Sequence, residues 1–294
     1  MPELPEVETV RRGLSRLIEG LVITDISHDN PKSFPNAEAD VRKFLIGAEI
    51  VAVTRRAKVL LIELSTKYSL IIHLKMTGQM VYRDTRDGEK SFGAGHPNSS
   101  LVGELPDKST RVTFGLSDGA HLYFNDQRKF GWVRLVPTAE IPMIDFFKKV
   151  GPEPLSDDFS WQVMRERLRR RKNTNIKAAL LDQSVIAGVG NIYADESLWG
   201  AKIHPATLVK NVSDNKVKAL HKALRDVLQL SIDKGGSTDQ HYVDAEGKRG
   251  KYLTFANVFR REGKPCPRCG SIIEKSRVAG RGTHTCPSCQ KTAS

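Results

Sequence analysis

The sequence predicts an α+β protein: a β-sandwich or barrel led by one α-helix, then a helical second half, then a short cysteine-tied hairpin. Three observations carry that reading. Apolar residues recur at helical spacing near the start of the chain and again beyond residue 160, seven short β-patterned runs lie between, and all four cysteines fall between Cys266 and Cys289. A chain of 294 residues is long enough for two domains that each bury a core.

The leading helix starts at Pro5 and runs to Gly20, with Val7, Val10, Leu14, Leu17 and Ile18 on one face. Residues 22–26, 49–56, 59–64, 70–74, 112–116, 122–124 and 132–135 then read as strands. Residues 83–108, rich in Gly, Ser, Asp and Pro and without apolar period, read as a long surface loop. Gly151-Pro-Glu-Pro-Leu155 reads as an interdomain linker. Helices are predicted over 161–171, 176–182, 192–199 and 216–232, the last with Val217, Leu220, Leu224, Val227 and Leu228 on one face. Gly235-Gly236 ends it and opens a polar, glycine-containing loop to about residue 251. The expected division is 1–136 for the sandwich, 137–160 for the linker, 161–255 for the helical domain and 256–294 for the cysteine module.

Forty-six Lys+Arg against 34 Asp+Glu give a net charge of +12, which favours a polyanionic partner. Nucleic acid, a ribosome and an anionic membrane surface fit that charge equally. No apolar run reaches the roughly 18 residues of a membrane span, and the first twenty residues carry acids rather than a secretion signal, so the expected location is the cytosol. In a reducing compartment four cysteines are metal ligands rather than disulfides. Cys266-Pro-Arg-Cys269 and Cys286-Pro-Ser-Cys289 have the paired CxxC spacing of a tetrahedral zinc site, closed by four thiolates and therefore structural. Between the pairs, residues 271–274 and 283–285 can form a hairpin whose turn, Ala279-Gly280-Arg281-Gly282, presents Arg281 either to phosphate or simply to solvent.

Several other residues carry chemistry in their position. Removal of Met1 leaves Pro2 as a terminal secondary amine, unprotonated far more often near neutral pH than a lysine amine, with Glu3 beside it as a proton donor. The plainer reading is that Pro2 is merely initiator-adjacent and Pro5 starts a helix. Lys58 lies at a strand junction, either as an acid, base or phosphate partner or as a solvated strand end. Met76, Arg128 and Phe130 stand beside turn glycines, where they could fill the space of a base taken out of a stack; the alternative for Met76 and Phe130 is ordinary core packing. The run 165–172 places six cations in eight residues, which reads either as a solvated helix face or as a phosphate site, and Gly188-Val-Gly190-Asn191 reads either as a tight interhelical turn or as a helix start that suits an anion.

Taken in order, residues 1–12, 55–61, 73–79, 126–131, 151–155, 176–205 and 265–290 resemble the formamidopyrimidine-DNA glycosylase family, bacterial enzymes that remove oxidised purines from DNA. The resemblance implies an N-terminal β-sandwich, a helix-two-turn-helix domain and a C-terminal zinc finger holding one structural zinc, in a monomer acting on damaged double-stranded DNA. It implies Pro2 as nucleophile, Glu3 as general acid, Lys58 in β-elimination and Arg281 in δ-elimination. Met76, Arg128 and Phe130 match the residues that fill the void of the flipped base, Lys172 and Asn191 match backbone contacts, and the loop after Gly236 matches the lesion-capping loop. Departures are Ser109 where the family often has a phosphate-contacting histidine, which leaves Ser109 as a weakened DNA-backbone contact, Gln127 in place of a usual proline, and Val258-Phe-Arg-Arg261 before the finger. The sister family of endonuclease VIII shares Pro2-Glu3 but typically has glycine at the position of Leu4 and another void-filling set. A non-catalytic zinc-finger DNA-binding protein would need neither the terminal amine nor Lys58.

Overall fold

The computed structural model describes residues 2–84, 91–96, 98–237 and 252–291. The chain divides into two compact units, Met1–Lys148 with Lys234–Lys251 and Lys149–Asp233 with Tyr252–Ser294.

The first unit begins with α1, Leu4–Ile18, capped by Glu3 and with Pro5 in the first turn, where a missing backbone donor is harmless. Its apolar face, Val7, Val10, Leu14 and Ile18, is fully buried, each side chain contributing about 1.5–3 kcal/mol as an upper estimate. The strands follow as β1 (Ile23–His28), β2 (Ile50–Arg56), β3 (Val59–Leu64), β4 (Tyr68–His73), β5 (Gly78–Arg83), β6 (Ser91–Gly95), β7 (Thr110–Leu116), β8 (His121–Asp126) and β9 (Trp132–Pro137). They form an antiparallel five-stranded sheet in the order β1-β7-β8-β5-β6 and a four-stranded sheet in the order β2-β3-β4-β9. Leu60, Ile62, Leu70 and Ile72 of one sheet and Met80, Phe114, Leu122 and Phe124 of the other share one core with α1, which makes the unit a β-sandwich with a leading helix. The chain changes sheet twice at one end, between β4 and β5 and between β8 and β9.

All seven predicted strands are present, and β5 and β6 are additions. β6 lies inside residues 83–108, so that segment is not simply a surface loop. Phe92 of β6 is buried against α1, where a Cβ on Gly13 would meet its ring at 2.3 Å. The segment lacks an apolar period because it packs through glycine: a Cβ on Gly95 would strike the Gly78 carbonyl at 2.4 Å. Residues 99–101 add a helical turn that buries Ser100 and Leu101.

The second unit holds α2 (Trp161–Arg169), α3 (Ile176–Leu181), α4 (Asn191–Gly200), α5 (Asp214–Asp233) and the hairpin of β10 (Glu274–Val278) and β11 (Arg281–Thr285). Ser160 and Asn175 cap α2 and α3 through their side chains. One apolar core joins the four helices, including Met164, Leu168, Ile176, Leu180, Tyr193, Leu198, Leu220, Leu224 and Leu228. The finger hairpin is displaced from the predicted strands, and Ala279 and Gly280, both at positive φ, make a two-residue turn. Arg281 is therefore the first residue of β11, paired with Val278, rather than a turn residue. The strand β10 is missing from the periodicity because its residues are largely exposed. Among the described residues no helix is long and apolar enough to cross a membrane.

Candidate functional site

In the first unit, Pro2 and Glu3 are buried at the start of α1. Glu3 and Glu6 close a capping box, in which the Glu3 amide donates to Glu6 Oε2 at 2.8 Å. The other oxygen of Glu6 accepts from the Ser237 amide and hydroxyl, both at 2.7 Å, so one carboxylate ties the proposed nucleophile's helix cap to the residue after Gly236. The remainder of the expected lesion-capping loop, 238–251, lies outside the described residues. The Glu3-x-x-Glu6 spacing, a capping-box signature, is the signal from which Glu6 could have been found.

Lys58 is 8% exposed and follows Ala57, at φ +54, in the two-residue turn joining β2 to β3. That turn is pinned to α1: Arg55 donates to Glu8 Oε2 at 3.2 Å and to the Ala57 carbonyl at 2.9 Å. Glu8 also accepts from Arg11 and Arg12. Its burial raises its pKa, but the hydrogen bond and charge of Arg11, with the charge of Arg55, outweigh that and hold the carboxyl below its usual value. His73, which pairs with Val59 across β3 and β4, is pushed down to about 3 by burial, reinforced by the charges of Lys75 and Lys58. Its Nδ1 accepts from the Lys75 amide at 3.1 Å, so the neutral ring carries its proton on Nε2.

Met76, Arg128 and Phe130 are brought together on the two sheet-changing crossovers. Met76 is 40% and Phe130 53% exposed, and the Arg128 guanidinium lies 4.8 Å from the Phe130 ring centre. Their exposure removes the core-packing alternative for Met76 and Phe130. Asp126, fully buried at the end of β8, accepts from the Thr77 hydroxyl, from the Arg128 amide at 3.2 Å and from the Gly131 amide at 2.6 Å. The periodicity gave no reason to single out Asp126 or Thr77; an Asp five residues before the Gly of a turn was the available signal.

Ser109 is 3% exposed, and its hydroxyl donates to Asp107 at 2.7 Å and meets Ser100 at 2.9 Å. The side chain faces into the protein rather than outward. Beside it, buried Arg111 donates to the Asp126 carbonyl at 2.9 Å and pairs with Asp29.

In the second unit, Lys172 is exposed beyond the end of α2, and Asn191 opens α4. The Asn191 side-chain amide donates to the Gly282 carbonyl at 3.1 Å, which joins the helix start to the strand carrying exposed Arg281. A second tie is ionic. Lys177 and Asp195, both fully buried, pair at 2.6 Å, and the lysine also donates to the Gly282 carbonyl at 2.9 Å and the Thr283 hydroxyl at 2.8 Å. Asp195 accepts from the His284 amide at 3.0 Å. Buried Glu196 accepts from the amides of Asn257, Val258 and Phe259, which fixes the approach to the finger.

A tetrahedral zinc with sulfur ligands at about 2.3 Å requires sulfurs roughly 3.8 Å apart. The four Sγ atoms of Cys266, Cys269, Cys286 and Cys289 lie within 4.8 Å of one another, so the residues fit one structural zinc. Trp199 of α4 donates its indole N–H to Cys266 Sγ at 3.4 Å, and Arg268 stacks over the same ring at 3.8 Å.

Comparison with known proteins extends over the whole chain. Families described as formamidopyrimidine-DNA glycosylase N-terminal domain, formamidopyrimidine-DNA glycosylase H2TH domain, and zinc finger found in FPG and IleRS match residues 1–133, 150–242 and 263–292. A protein of Pelotomaculum thermopropionicum named formamidopyrimidine-DNA glycosylase is 42% identical over 292 residues, covering 99% of both chains. Lactococcus lactis Fpg in complex with abasic-site DNA superposes with a TM-score of 0.86 at 35% identity, over 99% of this chain and 100% of that one. A variant of the L. lactis protein bound to DNA containing Fapy-dG gives the same TM-score at 36% identity and the same coverage.

Proposed function

The chain belongs to the formamidopyrimidine-DNA glycosylase family, and we propose from that membership that it excises oxidised purines from duplex DNA and then cleaves the strand at the abasic site. The observation that carries the reading is the Pro2-Glu3 start, buried at the cap of a helix whose second turn is tethered to the turn bearing Lys58.

In this reading the Pro2 amine, free once Met1 is removed, attacks C1′ of the damaged nucleotide as the glycosidic bond breaks and the base departs with its electron pair. A secondary amine can give only a cationic iminium, which acidifies the C2′ proton and drives elimination of the 3′ phosphate. Loss of the 5′ phosphate follows in the same manner. Glu3 protonates the opening sugar, Lys58 serves β-elimination and Arg281 serves δ-elimination and phosphate contact. Lys172 and Asn191 hold the DNA backbone, and Met76, Arg128 and Phe130 occupy the space of the extruded base. Zinc has no part in these steps; its four thiolates hold the finger that presents Arg281. The partner is damaged double-stranded DNA, bound by a monomer in the cytosol, and the CxxC pairs as thiolates suit that reducing compartment.

Borohydride reduction on a duplex carrying 8-oxoguanine opposite cytosine tests the reading, alongside the intact mass of the mature terminus. A covalent protein–DNA adduct whose yield falls sharply in Pro2→Gly is the expected outcome. An adduct unchanged by that substitution would remove Pro2 from its role.

A further inference from the structure

The two crossovers that carry Met76 and the Arg128–Phe130 pair belong to different loops, separated by some fifty residues of sequence, yet they are joined by one buried side chain. Chain geometry sets them side by side: Gly78, at the start of β5, pairs with Asp126, at the end of β8, while His73, at the end of β4, pairs with Trp132 of β9. Two strand pairs, one in each sheet, therefore bracket two loops at the same end of the sandwich. Nothing in that topology fixes how the loop tips stand relative to each other. The tips are also under local constraint, since Lys75 and Lys129 both have positive φ, at +50° and +57°. Without a tie between them, each loop would adjust independently.

We infer that Asp126, acting through Thr77, is a positioning residue that makes the two loops one rigid wedge. The Asp126 carboxylate accepts the Thr77 hydroxyl from the first loop, and from the second loop the Arg128 amide at 3.2 Å and the Gly131 amide at 2.6 Å. Thr77 Oγ1 in turn accepts the Arg128 amide at 3.0 Å, so the hydroxyl bridges both loops itself. Both residues are buried, at 7% for Thr77 and 0% for Asp126, while the neighbours they hold, Met76 and Phe130, are exposed. The clamp is anchored from behind: the Asp126 amide donates to the Ser109 carbonyl at 2.8 Å, and its carbonyl accepts from Arg111 Nε at 2.9 Å. Gly131 leaves room for it, because a Cβ there would meet Asp126 Oδ2 at 3.1 Å, the Phe124 ring at 2.7 Å and the His73 carbonyl at 2.9 Å. A buried carboxyl that accepts from three donors on two loops, shielded from water, is the strong form of a hydrogen-bonded turn. Both side chains are buried, so in this proposal their effect passes through Met76, Arg128 and Phe130.

The inference rests on the proposed glycosylase reading, and its test separates the two. Thr77→Val keeps the shape and removes the hydroxyl; Thr77→Ser restores it. The readouts are single-turnover excision of 8-oxoguanine from duplexes with each opposite base, fluorescence of a 2-aminopurine placed opposite an abasic site, and borohydride trapping on a single-stranded abasic oligonucleotide. Thr77→Val is expected to slow duplex excision about tenfold, the scale of one lost hydrogen bond and a small misplacement, and to narrow the spread among opposite bases. The 2-aminopurine signal should fall, single-stranded trapping should stay as in the parent, and Thr77→Ser should recover the duplex activity. Met76→Ala is the reference: it must slow duplex excision for the wedge itself to stand. If Met76→Ala slows excision and Thr77→Val does not, the clamp is wrong and the wedge survives. If Thr77→Val lowers single-stranded trapping as much as duplex excision, its role is general structure and the proposal is overturned. If Met76→Ala has no effect, the wedge reading fails, and the clamp with it. Absence of any trapped adduct in the parent would instead overturn the glycosylase reading.

Discussion

His73 shows how a single buried side chain can write pH dependence into the stability of the first unit. It lies in β4, with Nδ1 accepting from the Lys75 amide, beside Trp132 at 5.9 Å and Phe146 at 6.2 Å. Burial first, then the Lys75 and Lys58 charges, bring its pKa from 6.5 to about 3. The unfolded chain therefore takes up a proton near pH 6.5 that the folded chain refuses until about pH 3. The neutral ring's contribution is complete above pH 6.5 and is lost progressively as pH falls toward 3, up to about 5 kcal/mol. His73→Asn keeps an acceptor near the Nδ1 position and removes the titration. Its melting temperature should change less between pH 7 and pH 4 than the parent's, and parallel pH profiles would show that His73 does not titrate with unfolding. Sequence could suggest the chemistry of Pro2, Glu3 and Lys58, because residue type and position carry it. It could not suggest the pKa shift of His73 or the tie of Asp126 to Thr77, because both are products of neighbours distant in the chain.

At the scale of elements, the amphipathic ones were readable and those that pack through glycine or lie in the open were not. Helix α1 and strand β3 bury one regular face, and the period shows it. Strand β6 reads Ser-Phe-Gly-Ala-Gly, with one large apolar residue, and β10 reads Glu-Lys-Ser-Arg-Val with almost no buried side chain. Both owe their conformation to a partner strand. The finger hairpin likewise owes its place to α3 and α4, where Lys177 and Asp195 pair with no exposure and bind Gly282, Thr283 and His284. Burying two charges is costly, so the pair gives little net stability, but removing one partner strands the other. Lys177→Met should therefore lower the stability of the second unit by about 3–5 kcal/mol in urea unfolding. Combining it with Asp195→Leu should recover most of that loss. A single substitution costing less than about 1 kcal/mol would mean that water or the hairpin's own donors satisfy Asp195 without the lysine.

At the scale of the whole molecule, the sandwich and the helical domain have cores of their own, whereas the finger has almost none. Its buried cluster is Val258, Cys266, Ile273 and Cys286, packed against Trp199 of α4 and Cys289. So small a core cannot offset the conformational entropy of ordering the segment, and the metal must supply the difference. The metal module was evident from cysteine spacing alone. Its dependence on the helical domain was not, because Glu196, Lys177 and Asp195 find finger partners 61 to 106 residues further along the chain. Removing zinc should consequently do more than loosen the hairpin. Glu196 would lose the amides of Asn257, Val258 and Phe259, and the Lys177–Asp195 pair would lose its cover of Gly282 and Thr283. Buried charges deprived of their hydrogen bonds destabilise the helices that carry them. Calorimetry after chelation, with zinc loss verified by metal analysis, should show the second unit melting at lower temperature while the sandwich transition stays in place. Affinity for duplex DNA should fall at least about tenfold, since the strand bearing Arg281 and its tie to Asn191 are lost together. Restoring zinc should reverse both effects. If the zinc-free protein kept both transitions and its DNA affinity, the buried charges rather than the metal would be what holds the finger in place.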